Sequence, residues 1–377
     1  MSGPQQHARH GARVFAYVGA YTDRGKGIHQ FAFDPESGAL APLATFAVPN
    51  PSWIEFDAAG RHLYATNAVA DMAGGTGGVT AFAVDRATGA LRLINTVSSG
   101  GTGPAHLSLD PSGRFVLVAN YGGGSVAVVP IRADGSLDAA SDVVPIVGPL
   151  GPRRAADAPP GSFADSGHDA PHAHMIASDP SGRFVLVNDL GTDRIYVYTL
   201  DRMAGRLRAH APAFVQAAPG AGPRHVAFHP SRRFAYSLNE EASTIDLMAW
   251  DETRGTLAIL QTLPTLPPGF EGTNFTSEVA VSPDGRFVYA GNRLHDTIAI
   301  FAIDPATGRM THVRDVWTRG SYPRHFAWDP SRRFAYVLHT RSDNITVFRA
   351  DDAAGDLAFT GRYVGVGNPS MIAFLSL

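Results

Sequence analysis

Short apolar runs recur along the whole chain, separated by turns rich in Pro, Gly, Asp and Ser, and none keeps the spacing of a long amphipathic helix. The stretch from Gly222 to Glu241 shows the unit: Val226–Phe228 leads into a turn at His229–Arg232, and Phe234–Leu238 leads out. This reads as an antiparallel hairpin. The turn recurs as Asp57-Ala-Ala-Gly-Arg, Asp110-Pro-Ser-Gly-Arg, Asp179-Pro-Ser-Gly-Arg, His229-Pro-Ser-Arg-Arg, Ser282-Pro-Asp-Gly-Arg and Asp329-Pro-Ser-Arg-Arg, with starts 53, 69, 50, 53 and 47 residues apart. Asp-Pro and Gly at these offsets supply the dihedrals of a tight turn. A third strand follows each hairpin, as in Ile28–Phe33, Val79–Val84, Ser125–Ile131, Ile195–Leu200, Ile245–Trp250, Ile298–Ile303 and Ile345–Arg349. A second turn then carries Gly and, two residues on, Leu or Met, from Gly38/Leu40 to Gly355/Leu357. Four short strands in each repeat of about 50 residues are the signature of a β-propeller blade.

Counting the copies predicts an all-β fold with seven blades and no helix of useful length. The chain opens on a second strand, Phe15–Val18, with no first strand before it, and Pro369–Leu375 has the pattern of the missing one. Both termini therefore build one blade, which leaves no open sheet edge at the seam. The expected organisation is a disordered polar lead-in at residues 1–13 and a single propeller domain over 14–377. Two stretches depart from the pattern, Pro145–Pro171 and Pro264–Thr276. Each joins a fourth strand to the next first strand, which places both over the central channel, where long irregular segments are usually functional.

Composition narrows the function. Apolar residues make up 44% of the 377, enough for a full core, while charge is modest at 17% with a net of −3. Neither nucleic acid nor an anionic membrane is the expected partner of so balanced a chain. There is no cysteine, so disulfides and thiolate chemistry are excluded. The first residues, MSGPQQHARHGAR, contain no apolar core of a signal peptide, and no apolar run reaches membrane-spanning length. A cytoplasmic protein, a monomer or weak homo-oligomer, is the expectation.

Aligning the repeats on the first turn residue exposes the candidate chemistry. Five positions before it stand Ser52, Ala105, His174, Arg224, Ser277, Arg324 and, in the closing blade, Ser370; eleven positions after it stand Ala68, Tyr121, Leu190, Glu240, Arg293 and Thr340. A hairpin brings the start of its first strand beside the end of its second, so both columns belong to one end of the channel. Several copies manage without charge or imidazole, so the repeat itself does not require them. His174, Arg224, Glu240, Arg293 and Arg324 cluster in the later blades, and three guanidiniums in one place call for an anion. Tyr121, Asn292 and His172 join Arg324 as substrate-binding candidates.

Each candidate has a plainer reading. Arg224 and Glu240 could form only a salt bridge across their hairpin, and of Glu240 and Glu241 one is expected to face solvent. His172 and His174 have the spacing of two imidazoles on one strand face, but no third metal ligand is evident, so no metal is assigned. Asn292 lies in a column of Asn, Asp and His that mostly serves turns. His106, His225 and His325, four positions before the turn, should point to the opposite strand face from Arg224 and pack between blades. The turn aspartates are structural.

The motifs GPRHVAFHPSRRFAYSLNEE, PHAHMIASDPSGRF, VYAGNRLHDTIAIF and YPRHFAWDPS resemble those of the seven-bladed propeller lactonases. That family includes propeller-type bacterial 6-phosphogluconolactonases and fungal carboxy-muconate lactonizing enzymes. The resemblance runs from about Phe15 to the C-terminus. It implies that His174, Arg224, Glu240 and Arg293 occupy the catalytic positions and that no metal or cofactor is needed. The expected reaction is hydrolysis of an anionic sugar lactone such as 6-phosphogluconolactone, with Glu240 or His174 as base and the arginines on carbonyl and phosphate. Cycloisomerisation of a carboxy-muconate would use the same groups, and a propeller that only binds is the reading of another class. On this view Arg224→Ala or Glu240→Ala lowers turnover with thermal stability nearly unchanged.

Overall fold

The computed structural model describes residues 13–72, 74–164 and 167–377. They form seven four-stranded antiparallel sheets, and no helix occurs among them. Blade 1 is made from both ends of the chain, with Pro369–Ser376 beside Val14–Ala20, followed by Ile28–Phe33 and Leu40–Phe46. Blades 2 to 7 follow at residues 54–98, 104–145, 173–216, 223–264, 276–317 and 323–365. Of the expected lead-in, residues 1–12 lie outside the described residues, and Arg13 exchanges backbone hydrogen bonds with Leu377.

Position in the ring explains each strand's composition. Second strands such as Phe234–Asn239 and Phe334–His339 are buried at every position, because each is covered by a neighbouring blade on both faces. Fourth strands form the rim and alternate, as Thr256–Pro264 does.

Neighbouring blades are locked by the second turn. Gly308 has φ of +72°, and a Cβ there would lie 2.7 Å from the ring of Phe234 in blade 5. Two residues on, the Tyr236 hydroxyl donates to the Gly308 carbonyl at 2.8 Å. Gly38 and Phe334 repeat the contact between blades 1 and 7, with Tyr336 donating to Gly38 O at 2.7 Å. Glycine is needed at these turns both for its left-handed φ and for the space its missing side chain leaves.

At the other end, the first strands of blades 3 to 7 share an irregularity. The register shifts between Pro104 and His106, Ala173 and Met175, Pro223 and His225, Thr276 and Val279, and Pro323 and His325. Each is a bulge that re-aims side chains beside it, so two successive residues can face the channel. His106, His225 and His325 therefore do meet other blades, as expected, but at the channel axis and not between the blade faces. Their rings meet Trp53 of blade 2 at 4.2, 5.5 and 5.4 Å between centroids, a convergence of four blades on the axis.

No described residue of the two long segments lines the pocket at the channel mouth. The segments meet each other, with Gly272 N donating to Pro160 O at 2.7 Å and Phe163 N to Thr273 Oγ1 at 2.9 Å. Together they enclose an apolar cavity of about 600 Å³ against blades 5 and 6, walled by Pro159, Leu266, Phe270 and Phe301.

Candidate active site

Above the ring of aromatic and imidazole groups lies a smaller pocket of about 350 Å³, lined by Tyr21, Ala68, Gly103, Ala105, Tyr121, His174, Glu240, Arg293 and Arg324. The apolar cavity is larger, but only this pocket gathers an imidazole, a carboxylate and guanidiniums, and convergent polar groups mark a reactive site. Blades 4 to 7 supply the charged side, while Ala68, Gly103 and Ala105 leave room on the other. The two aligned columns account for nearly every lining residue.

Tyr21 was missed because blade 1 has its hairpin split between the chain ends and so lacks a first turn to count from. Counted from the start of the second strand, Phe15 to Tyr21 matches Phe234 to Glu240. That signal was available.

Glu240 sits at the centre of a fork. Its Oε2 lies 2.9 Å from Arg224 Nε and its Oε1 2.7 Å from Arg293 Nη2. Burial alone would push this carboxyl up, but Arg293 and Arg224 outweigh it and hold Glu240 below the usual range. Burial likewise opposes the charge on Arg293, yet Glu240 raises it. Arg224 is 2% exposed, and burial followed by repulsion from Arg293 pulls it down to about 9, still charged at neutral pH. Arg224 therefore lies beneath the pocket, tied to Glu240 and to the Ser277 carbonyl, as the salt-bridge reading had it. Glu241 is no more solvated than its neighbour; both are buried.

Arg324 is different. It lines the pocket, its guanidinium lies 5.4 Å from the Tyr21 ring centroid, and no carboxylate pairs with it among the described residues. Serine copies of the same column serve structure: Ser277 Oγ donates to Pro323 O at 2.8 Å and Ser370 Oγ to Pro51 O at 3.2 Å.

His174 is 5% exposed. Burial first, then Arg224, His225, Arg324 and Arg293, push its imidazole well below the usual range, so it stands neutral with a free lone pair. Its Nδ1 lies 3.1 Å from His225 Nε2, and Tyr121 meets it edge-on at 5.6 Å.

Besides Arg224, two further candidates fall outside the pocket. His172 stacks behind Tyr121 at 4.4 Å, with Nδ1 on the Tyr121 carbonyl at 2.8 Å and Nε2 on Asp169 at 3.0 Å, so it supports Tyr121 from outside the pocket lining. Asn292 is fully buried, accepts from Thr265 Oγ1 and Asn274 Nδ2, and donates to Thr265 O. It anchors the loop before blade 6. The sequence could not separate these roles, because Asn suits turns and ligands equally.

A propeller whose mouth gathers an imidazole, a carboxylate and guanidiniums around a small cavity has the acid, base and charged groups of an enzyme that acts on a small molecule. The chain belongs to the lactonases with a seven-bladed β-propeller, the family matching residues 15–374. It is 34% identical over 320 residues to a 6-phosphogluconolactonase of Bacillus subtilis, covering 84% of this chain and 85% of that one. The periplasmic gluconolactonase PpgL of Pseudomonas aeruginosa superposes with a TM-score of 0.86 at 34% identity, over 96% of this chain and 99% of its own. A solved Bacteroides fragilis structure gives 0.87 at 31%, over 98% and 99%. The protein is accordingly a lactonase, a carboxylic-ester hydrolase acting on a small molecule.

Proposed function

We propose that the substrate is the lactone of a phosphorylated sugar acid, 6-phosphogluconolactone, opened to 6-phosphogluconate without a metal ion. The observation that carries this reading is Arg324, a pocket guanidinium with no carboxylate partner among the described residues, beside Arg293. A phosphate would neutralise it, whereas a neutral lactone would leave it uncompensated. The name of the B. subtilis relative agrees with this reading; that of the P. aeruginosa relative speaks for the unphosphorylated sugar lactone.

In this mechanism His174 is the base. Both Glu240 oxygens are engaged by arginines and its affinity for a proton is reduced, so its part is to hold Arg293 in place. His174 takes a proton from water as the oxygen adds to the lactone carbonyl, Arg293 stabilises the oxyanion, and Arg324 holds the phosphate. The ring oxygen leaves as the C–O bond breaks and recovers the proton. The bound phosphate also offsets the cations that depress His174, which makes it a stronger base with substrate present than without.

A phosphorylated substrate carries with it a cytoplasmic location and a step of the pentose phosphate route. The test is a panel of 6-phosphogluconolactone, gluconolactone and carboxy-muconate on pure protein, with and without chelator. Arg324→Ala should raise KM for the phosphorylated lactone about 10- to 100-fold, the worth of a charged hydrogen bond, and leave gluconolactone nearly unaffected. Equal losses on both lactones would exclude the phosphate role, and turnover of the muconate would favour the lactonizing reaction.

A further inference from the structure

The proton taken up at His174 has somewhere to go. His174 Nδ1 lies 3.1 Å from His225 Nε2, and His225 Nδ1 lies 3.2 Å from Glu278 Oε1. The three come from blades 4, 5 and 6 and are 5%, 2% and 9% exposed. They run from the pocket down to the channel axis. The carboxylate also accepts from Val279 N at 3.1 Å and has His325 Nε2 at 3.6 Å from its other oxygen.

We propose, building on the lactonase mechanism above, that His225 and Glu278 are positioning and proton-relay residues that let His174 act as base without becoming an imidazolium. The tautomers follow from the chain of contacts. An ionised Glu278 can only accept, so His225 carries its proton on Nδ1 and presents an unprotonated Nε2. His174 must then donate through Nδ1, which leaves its Nε2 as the lone pair for the pocket. When water gives its proton to His174 Nε2, the Nδ1 proton passes to His225 Nε2, and the His225 Nδ1 proton passes to Glu278 Oε1. Hydroxide bonds to the carbonyl carbon at the same stage. The reverse series protonates the departing ring oxygen when the C–O bond breaks.

Electrostatics makes this route preferable to a lone histidine. Arg224, Arg293 and Arg324 face His174, so a positive imidazole there is strongly opposed. Glu278 faces His225, His325, Arg224 and Arg324, with Trp53 and His106 closing the axis around His225. Burial raises its affinity for a proton, and the cations lower it only in part. The relay thus exchanges a disfavoured cation for the neutralisation of a buried anion.

The test pairs Glu278→Gln, which keeps the shape but cannot take a proton, with His225→Gln. Both should lower kcat for 6-phosphogluconolactone about 30- to 100-fold with KM within about twofold, as expected for losing proton transfer. The acid limb of the wild-type kcat/KM profile should flatten in Glu278→Gln. Nitrogen-15 NMR of the wild type at neutral pH should show both His174 and His225 protonated on Nδ1, whether or not a variant folds poorly. An active wild type with His174 protonated on Nε2 overturns the relay and leaves the lactonase reading standing. So does wild-type kcat and pH profile in both variants while His174→Ala is inactive. A wild type inert on every lactone overturns both together.

Discussion

The two ends of the blades obey different rules. At the end bearing the first turns, one device repeats: the arginine closing the turn reaches a backbone carbonyl of the following blade. Arg114 donates to Arg202, Arg183 to Glu252, Arg233 to Pro305, Arg286 to Asp352 and Arg333 to Pro35. At the mouth, equivalent positions hold Ser, Ala, His or Arg, and each does something different. Ser277 ties two blades together, Ala105 makes space, His174 offers a lone pair and Arg324 a charge. Repetition within the chain marks what holds the ring together, and departure from it marks the chemistry.

The sharpest challenge to that division is Glu240, which belongs to both sides. Glu240→Gln leaves Arg224 and Arg293 buried without their counter-charge. Loss of one partner of a buried pair costs about 3–5 kcal/mol, and kcat/KM should fall at least ~100-fold as Arg293 loses its anchor. Chemical denaturation and lactone assays read the two effects separately. The expectation of unchanged stability, reasonable for an exposed rim, does not survive the burial of this fork.

Acid should act mainly through the channel and mouth histidines. Burial holds His325 and His339 down to about 4 in the fold, against about 6.5 in the unfolded chain. The unfolded state therefore binds more protons in this window, so stability is complete above pH ~6.5 and is lost as pH falls toward 4. The slope approaches ~1.4 kcal/mol per pH unit for each such histidine. Glu278 works in the opposite sense, because burial raises it. Thermal melts between pH 7 and 4 should fall accordingly, and His339→Asn should reduce the slope.

Changes at the turn end should touch stability alone. Gly308→Ala forces a Cβ into the Phe234 ring at positive φ, for a loss of about 2–3 kcal/mol by overpacking and strain. Turnover of the folded fraction should be unchanged in activity measured against the folded amount. The smallest effect belongs to Arg232, which holds φ of +60° where blade 3 has Gly113 at +68°. Arg232→Gly should stabilise by no more than about 1 kcal/mol, because relief of strain is partly offset by the freedom glycine gains in the unfolded chain. A reduced kcat in either variant would show that the turn end reaches the mouth.

Blade number, strand order within the repeat and the gathering of His174, Glu240, Arg293 and Arg324 at one end of the channel were legible in one dimension. Turn chemistry and side-chain alternation are local, and seven copies let each be checked against the others. What needed three dimensions was the outcome of the bulge. One inserted residue in each first strand of blades 3 to 7 breaks strict alternation, so His225, read as inter-blade packing, stands under His174 within hydrogen-bond reach. Burial was equally out of sight: Arg224 and Arg324 share a motif, yet only Arg324 lines the pocket. Local pattern determines which strands form, whereas the ring's closure decides which side chains share a cavity, because contacts between blades join residues far apart along the chain.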